Sequence, residues 1–407
     1  MAIAPPHRDT AANGTQVILS GDTMTINMGP QHPSTHGVLR LVLDLEGETV
    51  TRCEPVIGYL HTGFEKTYEK KTYLQAVVLT DRMDYLAPLS NNLGYALAVE
   101  KLLGIEAPPR ATVIRVLLAE LTRINNHLVW LGTQALDLGA MSAFFYCFRE
   151  REVLLDLFEM MSGARLMTSF IRPGGLMADL PDGWLERAEA FLREFPAHTL
   201  EYESLLTENE IFRERTIGIG VLSPEDAQAL DLTGPSLRAC GIPWDLRKLA
   251  PYCGYETYDF AVPTLTGGDV YDRYLIRMAE MRESTKIALQ AIDRLPVGPV
   301  MTADRKIALP PRAELATSME ALIHHFKLVS EGFKPPVGEV YTCIESPKGE
   351  IGYYIVSDGT GKPYRCHVRA PSFINLQSLP PMSVGGMVAD LVAVIGSIDP
   401  VLGEVDR

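Results

Sequence analysis

Apolar and polar residues alternate along the first part of the chain, which is the pattern of strands with one buried face. Four leucines recur at every second position: Leu39, Leu41, Leu43 and Leu45. Glu46-Gly47-Glu48 then provides a turn into a second β-like segment. We therefore predict an N-terminal β domain over residues 16–64. Residues 1–15 are rich in Ala, Pro, Thr and Asn without any period, and we expect them to be disordered.

From residue 65 to about residue 335, apolar positions recur every three or four residues, which predicts amphipathic helices. The longest helix follows Pro108-Pro109 and ends near Asp137, and its roughly thirty residues would span about 45 Å. Asn91-Asn92 is expected to cap the helix over residues 93–103, which precedes the longest helix. Pro196 is expected to interrupt the helix over residues 183–208. The other predicted helices have the same spacing: residues 93–103, 142–162, 183–208, 269–295 and 313–332. Long helices with short connections predict an antiparallel bundle.

Two regions depart from the helical pattern. Residues 211–260 are rich in Gly, Pro and Tyr, and predict an irregular excursion within the bundle. Residues 339–368 alternate again around a hairpin turn at Asp358-Gly-Thr-Gly, so we predict a β hairpin and a tail over residues 336–407. The fold class is therefore α+β, with a helical bundle core (65–335) flanked by β segments on both sides.

Composition excludes several classes of function. The chain has 37 basic and 51 acidic residues, and its net charge of −14 disfavours binding to nucleic acid or to anionic lipid. No window of about eighteen residues is apolar enough to span a membrane. The most apolar stretch, residues 387–398, is short and contains Asp390. The first residues lack a secretory signal, so any membrane association is expected to occur through partner proteins.

Metal and cofactor motifs are also missing. The closest two cysteines, Cys240 and Cys253, are thirteen positions apart, and no C-x-x-C pair occurs. Zinc and iron–sulfur sites usually show such pairs, so we expect no metal centre in this chain. There is no complete phosphate loop, no dinucleotide-binding glycine fingerprint and no H-E-x-x-H. We therefore expect neither NADH nor flavin to bind here.

The histidine loop is the most distinctive stretch, and we define it as Gly29–Gly37. It carries His32 and His36 between two β-like segments, and two prolines stiffen it. Such a loop can present titratable groups to a ligand, but its histidines can equally serve only to satisfy backbone carbonyls. A metal site is disfavoured because Pro33 disrupts helical spacing and no acidic or cysteine partner lies nearby.

Two further stretches place charges among apolar residues. Asp81–Leu86 combines both signs of charge with Tyr85 just before a core helix. Asp137 lies between leucines at the end of the longest helix, where a carboxylate is opposed by the helix dipole and is costly to desolvate without a partner. A structural salt bridge or a cap is the simpler explanation for each stretch.

Six motifs together resemble one family. They are Gly29-Pro-Gln-His-Pro-Ser-Thr-His-Gly-Val-Leu-Arg, Gly58-Tyr-Leu-His-Thr-Gly-Phe-Glu-Lys, Asp81-Arg-Met-Asp-Tyr, Ala135-Leu-Asp-Leu-Gly-Ala, Ile171-Arg-Pro-Gly-Gly and Ala370-Pro-Ser-Phe. From about residue 22 to residue 407, the chain resembles the 49 kDa subunit family of respiratory complex I, the NADH:quinone oxidoreductase of bacteria and mitochondria. This family is related to the large subunit of nickel–iron hydrogenases, so the resemblance implies a hydrogenase-like fold.

The resemblance implies a quinone cavity where hydrogenases hold their metal. The segments that match the hydrogenase ligands read Arg82-Met83-Asp84-Tyr85 and Asp399-Pro400-Val401, without any thiolate. Hydrogen activation is therefore not expected. The catalytic positions of the family fall on His36, Tyr85 and Asp137: the quinone headgroup would lie between the imidazole and the phenol, with Asp137 paired to His36. His32 and Thr133 would line the same cavity.

The resemblance also implies how electrons arrive. They would come from an iron–sulfur cluster in a neighbouring subunit. FMN and the other iron–sulfur clusters would be bound by further subunits, and membrane-arm subunits would also be partners of this chain. The complex would lie on the cytoplasmic face of the cell membrane and translocate protons. Four residues would face the cluster: His61, Arg82, Arg165 and Met167. An alternative is a non-catalytic scaffold that links the peripheral and membrane arms.

Two positions depart from the family pattern. Many relatives carry Arg where this chain has Thr62, and His where it has Met167. Methionine cannot titrate, so we expect the cluster potential to depend less on pH than in relatives with the histidine.

Overall fold

The computed structural model describes residues 8–10, 16–20 and 23–407. The expected disorder of residues 1–15 falls mostly outside these ranges. Its described part, Arg8–Thr10, forms a strand, which differs from that expectation.

The N-terminal strands form one five-stranded antiparallel sheet in chain order, as the alternating pattern predicts. The alternating leucines from Leu39 to Leu45 all point to its buried face and are at most 3% exposed. A bulge between Asp44 and Leu45 shifts the register of the last hairpin. The strands are β1 (Arg8–Thr10), β2 (Gln16–Ser20), β3 (Thr23–Met28), β4 (Arg40–Glu46) and β5 (Thr49–Val56).

Long helices build the core, and one of them is central. This helix begins after the two prolines and ends at Asp137, as predicted, and it contacts three other long helices. Most of its side chains are buried, so the helix packs on several sides. The helices up to this region are α1 (Phe64–Tyr68), α2 (Tyr73–Met83), α3 (Pro88–Leu103), α4 (Pro109–Asp137), α5 (Met141–Ser162) and α6 (Trp184–Leu206). Between α5 and α6 lies a two-stranded ribbon, β6 (Ile171–Arg172) and β7 (Gly175–Leu176).

Two predicted helix boundaries are wrong. Asn91-Asn92 does not cap α3, because the helix begins at Pro88, whose fixed φ suits the first turn. Both asparagines are buried inside the helix, where Asn92 donates to Asp81 and Asn91 accepts from the Tyr353 hydroxyl. Pro196 does not interrupt α6. The helix packs against its neighbours over its length, and this packing outweighs the local cost of the proline.

The excursion over residues 211–260 contains four short helices and is held by buried charges. Arg238 pairs with Glu280 and Glu345, and Arg247 pairs with Glu120, all of them essentially inaccessible to solvent. This network attaches the excursion to the central helix α4 and to the helix that follows. The helices are α7 (Glu210–Glu214), α8 (Pro224–Ala229), α9 (Pro235–Arg238), α10 (Leu246–Leu249) and the long α11 (Val270–Asp293).

The last part of the chain contains the predicted hairpin within a three-stranded antiparallel sheet. The predicted tail is wrong in character, because residues 371–406 form four short helices. Their apolar residues pack against the N-terminal sheet and α4, which explains why the segment is ordered. The elements are α12 (Met319–Ser330), β8 (Gly338–Ser346), β9 (Gly349–Ser357), β10 (Arg365–Arg369), α13 (Pro371–Asn375), α14 (Leu379–Ser383), α15 (Val388–Ile398) and α16 (Leu402–Asp406).

The architecture is α+β, as predicted. Within the described ranges, no helix combines the length and the apolar character needed to cross a membrane.

Candidate functional site

The histidine loop connects β3 to β4 and folds into a single 3-10 turn over Pro33–Thr35. His32 caps this turn, since its Nδ1 accepts from the Ser34 N–H at 3.2 Å. The loop can start tightly because Gly29 has φ +86°, and a Cβ there would lie 2.1 Å from the Leu39 carbonyl oxygen. His32 is exposed and acts as a cap in this structure, and its place in a ligand cavity stays a prediction.

His36 and Asp137 meet at the end of α4. His36 Nε2 lies 3.2 Å from Asp137 Oδ2, and each side chain is only 14% exposed. Ser34 adds a hydroxyl that donates to Asp137 Oδ1 at 3.4 Å. The Ser34 hydroxyl thus partly satisfies a carboxylate that stands at a helix C-terminus, and the imidazole lies beside its other oxygen. The contact at Nε2 does not meet the geometry of a hydrogen bond, and among the described residues this nitrogen has no hydrogen-bond partner.

The last turns of α4 hold α15 against this pair. Trp130 Nε1 donates to the Gly396 carbonyl at 2.7 Å, and Gln134 Nε2 donates to the Ala393 carbonyl at 3.2 Å. A Cβ on Gly396 would lie 1.8 Å from Gln134 Oε1 and 3.4 Å from His36 Nε2. A larger residue at this position would require Gln134 to move, and α15 forms one wall beside the imidazole. The Thr133 hydroxyl donates to carbonyls of its own helix and makes no described contact with His36.

Tyr85 lies between α2 and α3 and is partly buried. Burial raises the pKa of its phenol, and the Asp84 carboxylate raises it further. The phenol therefore stays protonated at neutral pH and can donate a hydrogen bond. None of the described contacts joins Tyr85 to His36 directly. Helix α15 connects the surroundings of the two residues. Its Gly396 lies beside His36. Asp399, which follows the helix, belongs to a group of buried charges next to Tyr85.

That group of charges is centred on Lys348, which lies in the turn between β8 and β9. Its ammonium lies 3.0 Å from Asp84 Oδ2 and 3.6 Å from Asp399 Oδ2, and the lysine side chain is fully buried. Asn126 on α4 donates to Asp399 at 2.8 Å and accepts from Lys348. We call Lys348, Asp84 and Asp399 the lysine cluster.

Two members of the lysine cluster, Asp84 and Asp399, lie in the segments 82–85 and 399–401, which the resemblance would align with the metal ligands of hydrogenases. Asp84 and Asp399 converge there on a cation supplied by the protein itself. In the ranges that the structure describes, no group of three or more His, Cys, Asp and Glu side chains could hold a metal ion. Sequence reasoning missed Lys348 because Pro347-Lys348-Gly349 has the composition of a solvent-exposed turn.

Three of the predicted cluster-facing residues lie on α2 or on segments that are joined to it, directly or through α16. His61 is exposed, and its Nδ1 donates to the Asp406 carbonyl at 2.6 Å. Arg82 is exposed on α2 itself. Met167 lies two positions before Ser169, whose N–H donates to Asp81 at 3.0 Å and so places this loop against α2.

Arg165 is different, because it forms ion pairs with Glu152 and Asp156 on α5.

Beside His61 lies a cleft of 510 Å³. The surface around it and on α2 exposes four apolar side chains: Ile57, Tyr59, Leu60 and Val78. We call this surface, with His61 and Arg82, the α2 face.

Comparison with known proteins defines the class first. A family model described as "Respiratory-chain NADH dehydrogenase, 49 Kd subunit" matches residues 137–407, which is more than half of the chain. A NADH-quinone oxidoreductase subunit of Roseiflexus sp. (strain RS-1) is 66% identical over 398 residues, covering 97% of this chain and 95% of the relative. A NADH-quinone oxidoreductase subunit of Geotalea uraniireducens (strain Rf4) is 58% identical, covering 95% of this chain and 100% of that protein.

The match thus defines a component of respiratory complex I. More particularly, the chain belongs to the family of its 49 kDa subunits. The resemblance in the six sequence motifs is confirmed, and other complex I subunits are therefore the partners of this chain.

Proposed function

We propose that this chain forms the quinone-reduction site of complex I together with an iron–sulfur subunit. The observation that carries the proposal is the His36–Asp137 pair, in which Nε2 lies 3.2 Å from a carboxylate oxygen and has no hydrogen-bond partner in the described structure. This nitrogen can serve a quinone carbonyl oxygen. An imidazole nitrogen can donate a hydrogen bond or a proton to such an oxygen.

The chemistry needs two electrons and two protons for each quinone reduced to quinol. No cluster or flavin site is expected in this chain, so the electrons come from an iron–sulfur cluster of a neighbouring subunit. Tyr85 donates a hydrogen bond to the second carbonyl oxygen, because its raised pKa keeps the phenol protonated. His36 and Tyr85 orient the headgroup, and Asp137 orients His36.

The α2 face fits the iron–sulfur partner. It combines exposed apolar side chains with His61 and Arg82, and a mixed surface of this kind is typical of subunit interfaces. Through its partners the chain would lie on the cytoplasmic side of the cell membrane and contribute to proton translocation. The alternative function, a non-catalytic scaffold, predicts that no quinone binds at this site. A quinone analogue that binds the wild type but not the His36 and Tyr85 variants would exclude the scaffold.

Tyr85→Phe is expected to lower the rate of quinone reduction by about tenfold, because one hydrogen bond of about 1.4 kcal/mol is lost while the ring remains. The rate should be measured with the assembled complex and a soluble quinone, together with NADH oxidation by an artificial acceptor, which should not change. Tyr364→Phe is the matched control, since that tyrosine is 68% exposed in the hairpin. Equal quinone reduction in wild type and Tyr85→Phe would argue against a role for the phenol.

Met167→His is expected to make the midpoint potential of the partner's cluster depend on pH. Methionine cannot titrate, whereas a histidine near the cluster can exchange a proton with each electron, up to about 59 mV per pH unit. Redox titration followed by electron paramagnetic resonance at several pH values measures the slope. Met177→His, at another partly exposed methionine, provides the control. A steep slope already present in the wild type would refute the expectation.

A further inference from the structure

Glu404 on α16 is a buried carboxyl group that the proposed site does not use. It is 1% exposed. Its Oε1 accepts from the Ser372 N–H at 2.9 Å, but Oε2 has no hydrogen-bond partner among the described residues. A carboxylate oxygen left without any donor is costly to bury in its charged form.

The backbone places this group directly behind the Tyr85 segment. Gly403 packs so closely against the end of α2 that a Cβ there would lie 2.6 Å from the Met83 carbonyl oxygen. Asp84 and Tyr85 follow immediately in the chain. This main-chain contact fixes the backbone beside Glu404 against the segment that leads into Asp84.

The charges around Glu404 do not balance. Asp84 and Asp399 both lie within ion-pair distance of the Lys348 ammonium, so this cation is already shared by two carboxylates. Among the described groups, the Ser372 N–H contacts Glu404, and the buried phenol of Tyr353 lies close enough to be affected by its charge. One cation cannot neutralise three carboxylates in a medium of low dielectric constant.

Burial, followed by the charge of Asp84, raises the pKa of Glu404 to about 8, against a partial opposing effect of Lys348. The folded protein therefore keeps a proton on Glu404 at neutral pH. It releases this proton as the pH rises through about 8. At such a pKa, a small change in the surroundings can favour either the protonated or the charged form near neutral pH.

We propose that Glu404 is a proton-relay residue of the quinone site, connected to the Asp84–Tyr85 segment through the lysine cluster. This inference rests on the proposed function. Two electrons from the partner's iron–sulfur cluster and two protons convert the quinone to quinol. One of these protons leaves the Glu404 O–H by way of the polar groups of the Asp84–Tyr85 segment. The resulting carboxylate is balanced by Lys348 until a proton from water restores the acid.

The rival explanation is a structural acid whose proton never leaves. Glu404→Gln separates the two, because the amide keeps the shape and the acceptor for Ser372 N–H but cannot exchange a proton. In the assembled complex, we expect quinone reduction at neutral pH to fall by at least about tenfold. The wild-type rate should decline above about pH 8, whereas the variant should be slow at every pH and lack this limb. Glu404→Asp should restore part of the rate.

Infrared difference spectroscopy of the wild-type complex tests the proton itself. After reduction is triggered, the carbonyl band of a protonated carboxylic acid should be depleted transiently, until a proton from water restores the acid, and this transient should be missing from Glu404→Gln. If the Gln variant does not assemble, Glu404→Asp, which keeps an acid in altered surroundings, should shift the transient band. Glu320→Gln, at a glutamate whose side chain is 85% exposed, is the control.

Two outcomes overturn the relay. Either the Gln variant reduces quinone at the wild-type rate with the wild-type pH profile, or no carboxylic-acid band changes on reduction. In both cases binding of a quinone analogue to the Gln variant should be retained, because His36 and Tyr85 are intact. Loss of the proposed function itself would instead appear as a wild-type complex in which a bound analogue makes no contact with His36 or Tyr85.

Discussion

His36→Ala is expected to lower quinone reduction by about a hundredfold or more, which is the usual contribution of a positioned proton donor. The substitution removes the nitrogen that lies 3.2 Å from Asp137 and leaves that carboxylate at the end of α4 without its partner. Electron entry should not change, because this chain is expected to bind neither NADH nor flavin. The assay compares quinone reduction with NADH oxidation by an artificial acceptor in the same membranes.

Two controls make the His36 result specific. His324→Ala, on the distant helix α12, should leave both rates unchanged. Asp137→Asn should lower quinone reduction less than His36→Ala, and the double variant should resemble His36→Ala alone, because the two residues act as one unit. If His36→Ala lowers both rates equally, the defect lies in assembly, and if it lowers neither, His36 does not serve the quinone.

Lys348→Met is expected to reduce the free energy of unfolding by about 3–5 kcal/mol, the typical cost of removing one partner from a buried ion pair. Asp84 and Asp399 would remain buried without a cation, and Asn126 would lose its donor. Denaturant unfolding of the purified chain, followed by circular dichroism, measures the change.

The partners of Lys348 provide the internal test. Asp84→Asn combined with Lys348→Met should recover part of the loss, since one unpaired charge disappears together with the cation. Lys327→Met, at an exposed lysine on α12, should change stability by less than about 0.5 kcal/mol. An equally small effect of Lys348→Met would show that the lysine cluster contributes no net stability.

The sequence predicts the elements whose pattern is local. Alternation places four leucines, from Leu39 to Leu45, on the buried face of the first sheet, and the paired prolines mark the start of α4 correctly. Local rules fail where tertiary contacts decide. Pro196 continues a helix that its neighbours hold in place, and residues 371–406 become helical because they bury apolar side chains against the N-terminal sheet.

The candidate site shows the same division. The unfavourable position of Asp137 at a helix end is visible in the sequence and calls for a partner, but no local signal identifies His36, which lies far earlier in the chain. Only the resemblance to a known family joined the two. Lys348 and Glu404 could not be found in this way: a lysine in a Pro-Lys-Gly turn and a glutamate in a short helix are usually exposed, and only the fold shows that both are buried.

The contacts of Asp406 have a consequence for biogenesis. Its carboxylate accepts the N–H groups of Gly58 and Leu60 at 2.8 and 2.6 Å, across 348 and 346 positions of sequence. During synthesis the early segment emerges from the ribosome long before this acceptor exists. The surface around His61 therefore forms only after residue 406 has left the ribosome, so a protein that recognises this surface cannot bind before then.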